Sequence, residues 1–262
     1  SPTKLQRTKR EIWIMKFGNR IVTDGLIFAV DAANPISYPG SGTAWNDLTP
    51  NKNNGTLING PTFSSANAGS IVFDGVNDKV IGTNSTLLSF GDGSTDSPFS
   101  LSAWIYMDDT SLTNPIIGKY RSYTPFRGEY SFQIANQKLL FQCVDGGTSV
   151  RVRRDADSTL STGRWYNLAA TYNANGTDEG IVLYMDGEVL PSSGRGDDGS
   201  YVAMQRAGDP SELTIGVLLD EGNTNFQSNM DGKISNTHIY NRALSSTEIL
   251  QNYNALKGRF GL

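Results

Sequence analysis

One cysteine and one histidine are all that 262 residues hold of the two most versatile reactive side chains. A lone Cys143 forms no internal disulfide, so nothing in the chain requires an oxidising compartment. A lone His238 restricts base-assisted nucleophilic chemistry to whatever converges on that single position, and no Gly-x-Ser-x-Gly elbow accompanies it. Long apolar runs are also missing. Ile12 to Met15 and Leu26 to Val30 are the longest apolar stretches, far short of the ~20 residues of a membrane helix, and no leading apolar stretch resembles a secretory signal. Charged residues make up 18% of the chain. Their distribution is uneven: residues 1 to 20 hold six basic side chains against Glu11, and the remainder holds 16 basic against 25 acidic.

What the chain has in abundance is turn-forming residues, including 28 glycines. Clusters such as Asn51 to Gly55, Asp74-Gly75, Gly91 to Gly93, Asp145 to Gly147 and Asp186-Gly187 accept positive φ and divide the sequence into short segments. Between them the apolar residues alternate with period two. Phe99, Leu101, Ala103, Ile105 and Met107 point one way and Ser100, Ser102, Trp104 and Tyr106 the other, as in a sandwich strand. Further strands are predicted over 25–31, 70–73, 79–82, 130–134, 138–144, 165–172, 181–185, 213–217 and 233–240. Many strands at short spacing, with no fixed-period repeat, predict an all-β antiparallel sandwich of jelly-roll type. One short C-terminal helix is expected. Ser245 caps it, Glu248 closes a capping box, Ile249, Leu250, Tyr253 and Leu256 form its apolar stripe, and Gly258 ends it.

The expected organisation is a basic, apolar arm over residues 1–23 and one sandwich domain over 24–262. Ile12, Trp13, Ile14, Met15 and Phe17 are too apolar for a purely solvated tail. Lys4, Arg7, Lys9, Arg10, Trp13 and Phe17 are therefore read as residues that anchor the arm on a partner surface.

Several stretches carry a family resemblance. Gly25-Leu26-Ile27-Phe28-Ala29-Val30-Asp31, Trp45-Asn46-Asp47-Leu48 with Asn54-Gly55-Thr56-Leu57, Phe73-Asp74-Gly75, Gly163-Arg164-Trp165-Tyr166, Leu183 to Gly187 and Gly232-Lys233-Ile234 through Leu244-Ser245 resemble the laminin-G-like (pentraxin-like) domains of the concanavalin A-like lectin/glucanase superfamily. The wording is similar to modules of bacteriophage particle proteins. The resemblance implies a non-enzymatic decoration protein of a virion, assembled in the host cytoplasm. Its partners would be other virion structural proteins of capsid or tail, with surface glycans as a further partner. A homo-oligomer is compatible with an exchanging arm, and neither membrane insertion nor nucleic acid is expected. A carbohydrate-binding lectin module is the alternative, and a glycoside hydrolase the third reading.

The fold hosts all three, so a site must decide. The paired-carboxylate strand motif of the related glucanases, Glu-x-Asp-x-x-Glu, is missing, which argues against hydrolysis. His238 and Cys143 read as buried structural residues. Family analogy raises Ca²⁺ as a cofactor, with Asp31, Asp74, Asp78 and Asp231 at strand ends as candidate ligands; each is equally a turn former. Tyr120, Tyr123, Phe126, Arg127 and Tyr130 surround one loop and form a candidate glycan-stacking edge, against the alternative that the rings fill the core. Arg195-Gly196-Asp197 is read as a chance tripeptide in a Gly- and Asp-rich loop.

Overall fold

The computed structural model describes residues 20–111, 113–121, 127–146, 148, 150–195, 200–204, 212–219 and 226–262, and of residues 121, 127, 226 and 227 it describes the backbone. The alternating pattern folds as expected, into two stacked sheets paired almost entirely antiparallel. The first sheet runs, edge to edge, through Glu188–Val189, Ile181–Met185, Trp165–Tyr172, Phe99–Met107, Asp231–Tyr240, Ser70–Asp74 and Thr62–Ser64, and Leu26–Asp31 pairs the distal half of Asp231–Tyr240. The second runs through Ser192–Gly194, Arg151–Ala156, Lys138–Val144, Arg127–Ala135, Asn114–Arg121, Thr214–Ile215, Lys79–Gly82, Gly55–Ile58 and Ala44–Trp45. Phe99 sits at the middle of the core between them, stacked on Phe90 at 4.1 Å and edge-on to Phe141 and Tyr172.

The fold departs from simple alternation and from a core filled by every large ring in two places, and it adds one strand. Trp104 and Trp165 do not fill the inter-sheet core; they stand on the outer face of the first sheet and are buried there by the C-terminus, where Trp104 stacks on Phe260 at 4.1 Å. The period-two rule places Ile234, His238 and Tyr240 on one face, yet Ile234 lies in the inter-sheet core while Tyr240 joins the outer cluster. The reason is a register shift between Ile234 and Asn236 against Phe99–Met107, since one extra residue inverts every later side chain. The strand Arg151–Ala156, sequence RVRRDA, went unrecognised because an edge-proximal strand whose apolar residues are only Val152 and Ala156 lacks the alternation that periodicity reads.

The helix spans Ser246–Leu256, and its capping box is present: Glu248 N donates to Ser245 Oγ and Ser245 N donates to Glu248. Arg242 adds a two-pronged ion pair to Glu248, at 2.6 and 3.0 Å, which holds that carboxyl down at about 2. Gly258 does not end the chain's helical run. A 3-10 turn over Lys257–Phe260 continues it to Gly261, whose left-handed φ of 74° stops it.

Residues 20–23, assigned to the arm, are bolted to this helix. Gln251 Nε2 donates to the Arg20 carbonyl, Val22 N to Asn252 Oδ1, and Tyr240 Oη to the Val22 carbonyl. The anchoring candidates Lys4, Arg7, Lys9, Arg10, Trp13 and Phe17 lie outside the described residues.

Candidate functional site

The C-terminal helix closes only part of the first sheet's outer face. Beside it, the strand Leu26–Asp31 and the end of Asp231–Tyr240 remain open as the floor of a pocket of about 590 Å³, within the usual range for small-ligand sites. Three chain regions, far apart in sequence, build its walls.

The first wall is the loop after Trp45. Asp47 is buried and organises it, accepting from Ala29 N, Thr49 N, Thr49 Oγ1 and Asn53 N. Leu48 N then donates to the Ala29 carbonyl, and Asn51 Nδ2 and Thr49 Oγ1 both reach the Ile27 carbonyl. A buried carboxylate satisfied by four donors in this way rigidifies its loop, so Leu48, Thr49 and Pro50 face the pocket in fixed positions. The second wall is the leading segment, with Ile21 and Leu26. The third is the C-terminal turn, with Ala255, Leu256 and Arg259.

The floor is polar. His238, opposite Ala29 in the strand pairing, is buried and lines the pocket. Its Nδ1 lies 3.4 Å from Ser102 Oγ. Burial lowers its pKa to about 4; Arg259 lowers it further and Asp31 opposes. The imidazole is thus neutral near pH 7, able to donate at one nitrogen and accept at the other. Arg259 Nη1 bridges both Asp31 oxygens, at 2.8 and 3.0 Å, and Ala33 N donates to the same carboxylate. Asn34 follows on the turn, its backbone N–H donating to the Asp31 carbonyl. The arrangement offers aliphatic walls and a floor of fixed donors and acceptors.

Of the expected site residues, the structure brings only Asp31 to this pocket. It is a partner of Arg259 there, separated along the Asp231–Tyr240 strand from the other metal candidates. Its register partner is Asn236, five residues and roughly 15 Å from Asp231. Asp74, Asp78 and Asp231 do gather at one end of the first sheet, with Asp74 opposite Asp231. Asp74 accepts from Val76 N and Asn77 N, which lowers its pKa, and Asp78 accepts from Asp74 N. Asp74 and Asp78 act as turn residues, whereas Asp231 opens a strand and its N–H donates to Asn114 Oδ1. Among the described residues no three His, Cys, Asp or Glu side chains form a metal-sized group.

Of the candidate stacking edge, the two described rings are buried. Tyr120 packs into a small buried cluster with Val144 and Leu218, and Tyr130 is in the inter-sheet core with its hydroxyl on the Leu88 carbonyl. Period two explains Tyr130: it alternates with Ser131 on a strand whose other face points outward. Tyr123, Phe126 and the Arg127 side chain lie outside the described residues. Sequence reasoning missed Arg259, Asn34 and Thr49 as pocket residues, and no local signal marks them, because the pocket exists only where residues 20–50 meet His238 and the C-terminal turn.

A family model for the concanavalin A-like lectin/glucanases superfamily, of laminin-G type, matches residues 74–250, more than half of the chain. No curated protein matches. Among solved structures, the binding domain of Paraclostridial Mosquitocidal Protein 1 aligns at 16% identity and a TM-score of 0.61, over 88% of this chain and 52% of that one. Domain 4 of AbnA, a GH43 extracellular arabinanase from Geobacillus stearothermophilus solved with arabinotriose, aligns at 17% identity and 0.58, over 87% and 98%. Trypanosoma rangeli sialidase in complex with the inhibitor DANA aligns at 16% and 0.57, over 96% and 39%. The chain therefore spans about half or less of the first of these structures, and identities this low establish a shared fold.

Proposed function

Because the chain belongs to the concanavalin A-like lectin/glucanase superfamily, we propose that it is a non-enzymatic carbohydrate-binding module that takes the end of a saccharide in the pocket beside the C-terminal helix. The observation that carries this reading is the lining. A sugar ring presents C–H faces and hydroxyls together, and Leu48, Pro50 and Leu256 face the first while Asn34, Thr49, His238 and the Asp31–Arg259 pair face the second. Hydrolysis of a glycosidic bond needs two carboxyl groups across it, about 5 to 10 Å apart. Asp31 is the one acidic side chain lining the pocket among the described residues, and Arg259 engages both its oxygens. Ser102, the one hydroxyl within reach of His238, does not line it. The arabinotriose in domain 4 of the arabinanase supports the same reading by likeness of fold.

The test is a glycan panel against the full chain and against Ala255→Trp, which fills the pocket without deleting a hydrogen bond. Saccharide binding is expected in the first and at least a tenfold loss in the second, at unchanged melting temperature. Equal binding by both proteins would move the site elsewhere, and silence of the whole panel would overturn the reading.

A second reading is favoured by the anchoring of residues 20–23 on the helix. It makes the preceding arm a tether, issuing from a rigid collar, that attaches the module to a virion shell or tail. Deleting residues 1–19 should then abolish incorporation into particles while leaving the folded body intact; unchanged incorporation would refute it.

A further inference from the structure

We propose that the pocket selects its sugar by the substituent on C5: it takes a terminal 6-deoxyhexose, which carries a methyl group there, in preference to the hexose that carries a hydroxymethyl group. The inference rests on the carbohydrate-binding reading of the pocket and names the class of sugar. It follows from how the lining changes character along one strand. Leu26, Ala29 and Asp31 share the outer face, because the register against Asp231–Tyr240 shifts between Leu26 and Phe28 and turns both Ile27 and Phe28 toward the core. Leu26 and Asp31 are the two ends of that strand, roughly 15 Å apart, so a sugar ring and its substituents can lie along the floor between them.

The Asp31 end holds unused hydrogen-bonding capacity. Arg259 commits Nη1 to Asp31, while its Nε and Nη2 have no partner among the described residues. Asn34 accepts from Ile36 N at Oδ1, and its Nδ2 is likewise left over. Midway along the floor, opposite Ala29, His238 has Nδ1 beside Ser102 and keeps Nε2 for a ligand. These groups suit the hydroxyls along one edge of a sugar ring.

At the Leu26 end the main-chain groups are already engaged. Leu26 N donates to the Thr23 carbonyl, and the Ile27 carbonyl accepts from both Thr49 Oγ1 and Asn51 Nδ2. The Arg20 carbonyl accepts from Gln251, and Val22 is bonded through its N–H to Asn252 and through its carbonyl to Tyr240. Pro50 has no N–H to offer. Ile21, Leu26 and Leu256 add aliphatic surface, and the polar side chains at this end, Arg20 and Thr23, are exposed at the rim. A methyl group gains by burial here. A hydroxymethyl oxygen in the same place leaves water without finding a partner, which costs roughly ten- to a hundredfold in affinity, the discrimination an apolar pocket achieves against an added hydroxyl. Polarity also fixes the orientation: the C5 substituent lies at Leu26, and the hydroxyls on C2 and C3, across the ring, lie at Asn34 and Arg259.

The experiment is calorimetric titration of the full chain with matched methyl glycosides that differ by one oxygen, L-fucoside against L-galactoside and L-rhamnoside against L-mannoside. In at least one pair the deoxy sugar is expected to bind roughly tenfold more tightly or better. Leu26→Thr puts a hydroxyl at the apolar end on a residue that suits a strand, and is expected to narrow that difference to about threefold or less. Ile21→Thr, outside the strand, tests the same end should Leu26→Thr fail to fold. Equal affinities within both pairs, or preference for the hydroxylated member, would overturn the inference while loss of binding in Ala255→Trp upholds the pocket. An undiminished preference in the threonine variants would overturn the role given to the Leu26 end. Silence toward all four glycosides alongside binding in the glycan panel would overturn the sugar class alone, and silence of the panel as well would overturn the carbohydrate reading itself.

Discussion

His238 makes the stability of this protein depend on pH in a window that can be assigned to one residue. In the folded chain its pKa is about 4, against 6.5 for an unperturbed imidazole, because the ring is buried with Arg259 beside it. The folded pKa is depressed for a base, so between pH 6.5 and 4 the unfolded state takes up a proton that the folded state refuses. Stability is therefore constant above pH 6.5 and falls by about 1.4 kcal/mol per pH unit as the pH drops toward 4, an accumulated loss of about 3 kcal/mol. The carboxylates titrate in the lower part of the same range, some in the opposite direction: burial raises Asp96 and Asp78, whereas Glu248 is held low. The clean quantity is thus the difference between the wild type and His238→Gln, which keeps a hydrogen-bonding side chain opposite Ser102 and removes the proton. Urea denaturation at pH 7, 6, 5 and 4 should show the two stability curves converging by about 3 kcal/mol, with most of the change below pH 6. Because the chain has a single histidine, its ring proton resonances report the folded pKa directly by NMR. A titration midpoint near 6.5 in the folded protein, or curves that run parallel, would refute the argument from burial.

The buried pair Lys119–Glu129, 3.3 Å apart with both side chains fully enclosed, sets a second expectation. Glu129→Gln leaves an ammonium buried beside Ser89 and should cost about 3–5 kcal/mol in urea denaturation, while the double variant Lys119→Met, Glu129→Leu should recover part of that loss. Gly232 has φ of 146°, and a Cβ there would lie 2.1 Å from the Tyr106 carbonyl oxygen. Gly232→Ala should accordingly lower stability by more than ~2 kcal/mol, and a melting temperature within two degrees of wild type would contradict it. Ser245→Ala removes the helix cap and should cost about 1 kcal/mol, read by the same denaturation; since Leu256 ends that helix and Arg259 lies in the turn after it, saccharide affinity at the pocket should fall with it.

Much of the fold is local information. The strand Phe99–Met107 and the predicted strands at 79–82, 138–144, 165–172 and 181–185 are carried by alternation and by turns with Gly or Asn. The capping box of Ser245 and Glu248 is carried by four consecutive residues. The stretch Trp45-Asn46-Asp47-Leu48, which bore the family resemblance, turned out to be the loop-organising unit around Asp47, so its wording has a structural cause. Where an extra residue enters a ladder, as between Ile234 and Asn236, alternation predicts the wrong face, and local pattern has no means of seeing it.

By itself, then, the sequence determined an all-β sandwich with one capped C-terminal helix, because period-two burial and helix caps act between near neighbours in the chain. Only the tertiary structure decided the site. Asp31 meets Arg259 across 228 residues. Such meetings depend on sheet order, register and where the helix lands, and these follow from the packing of the whole core.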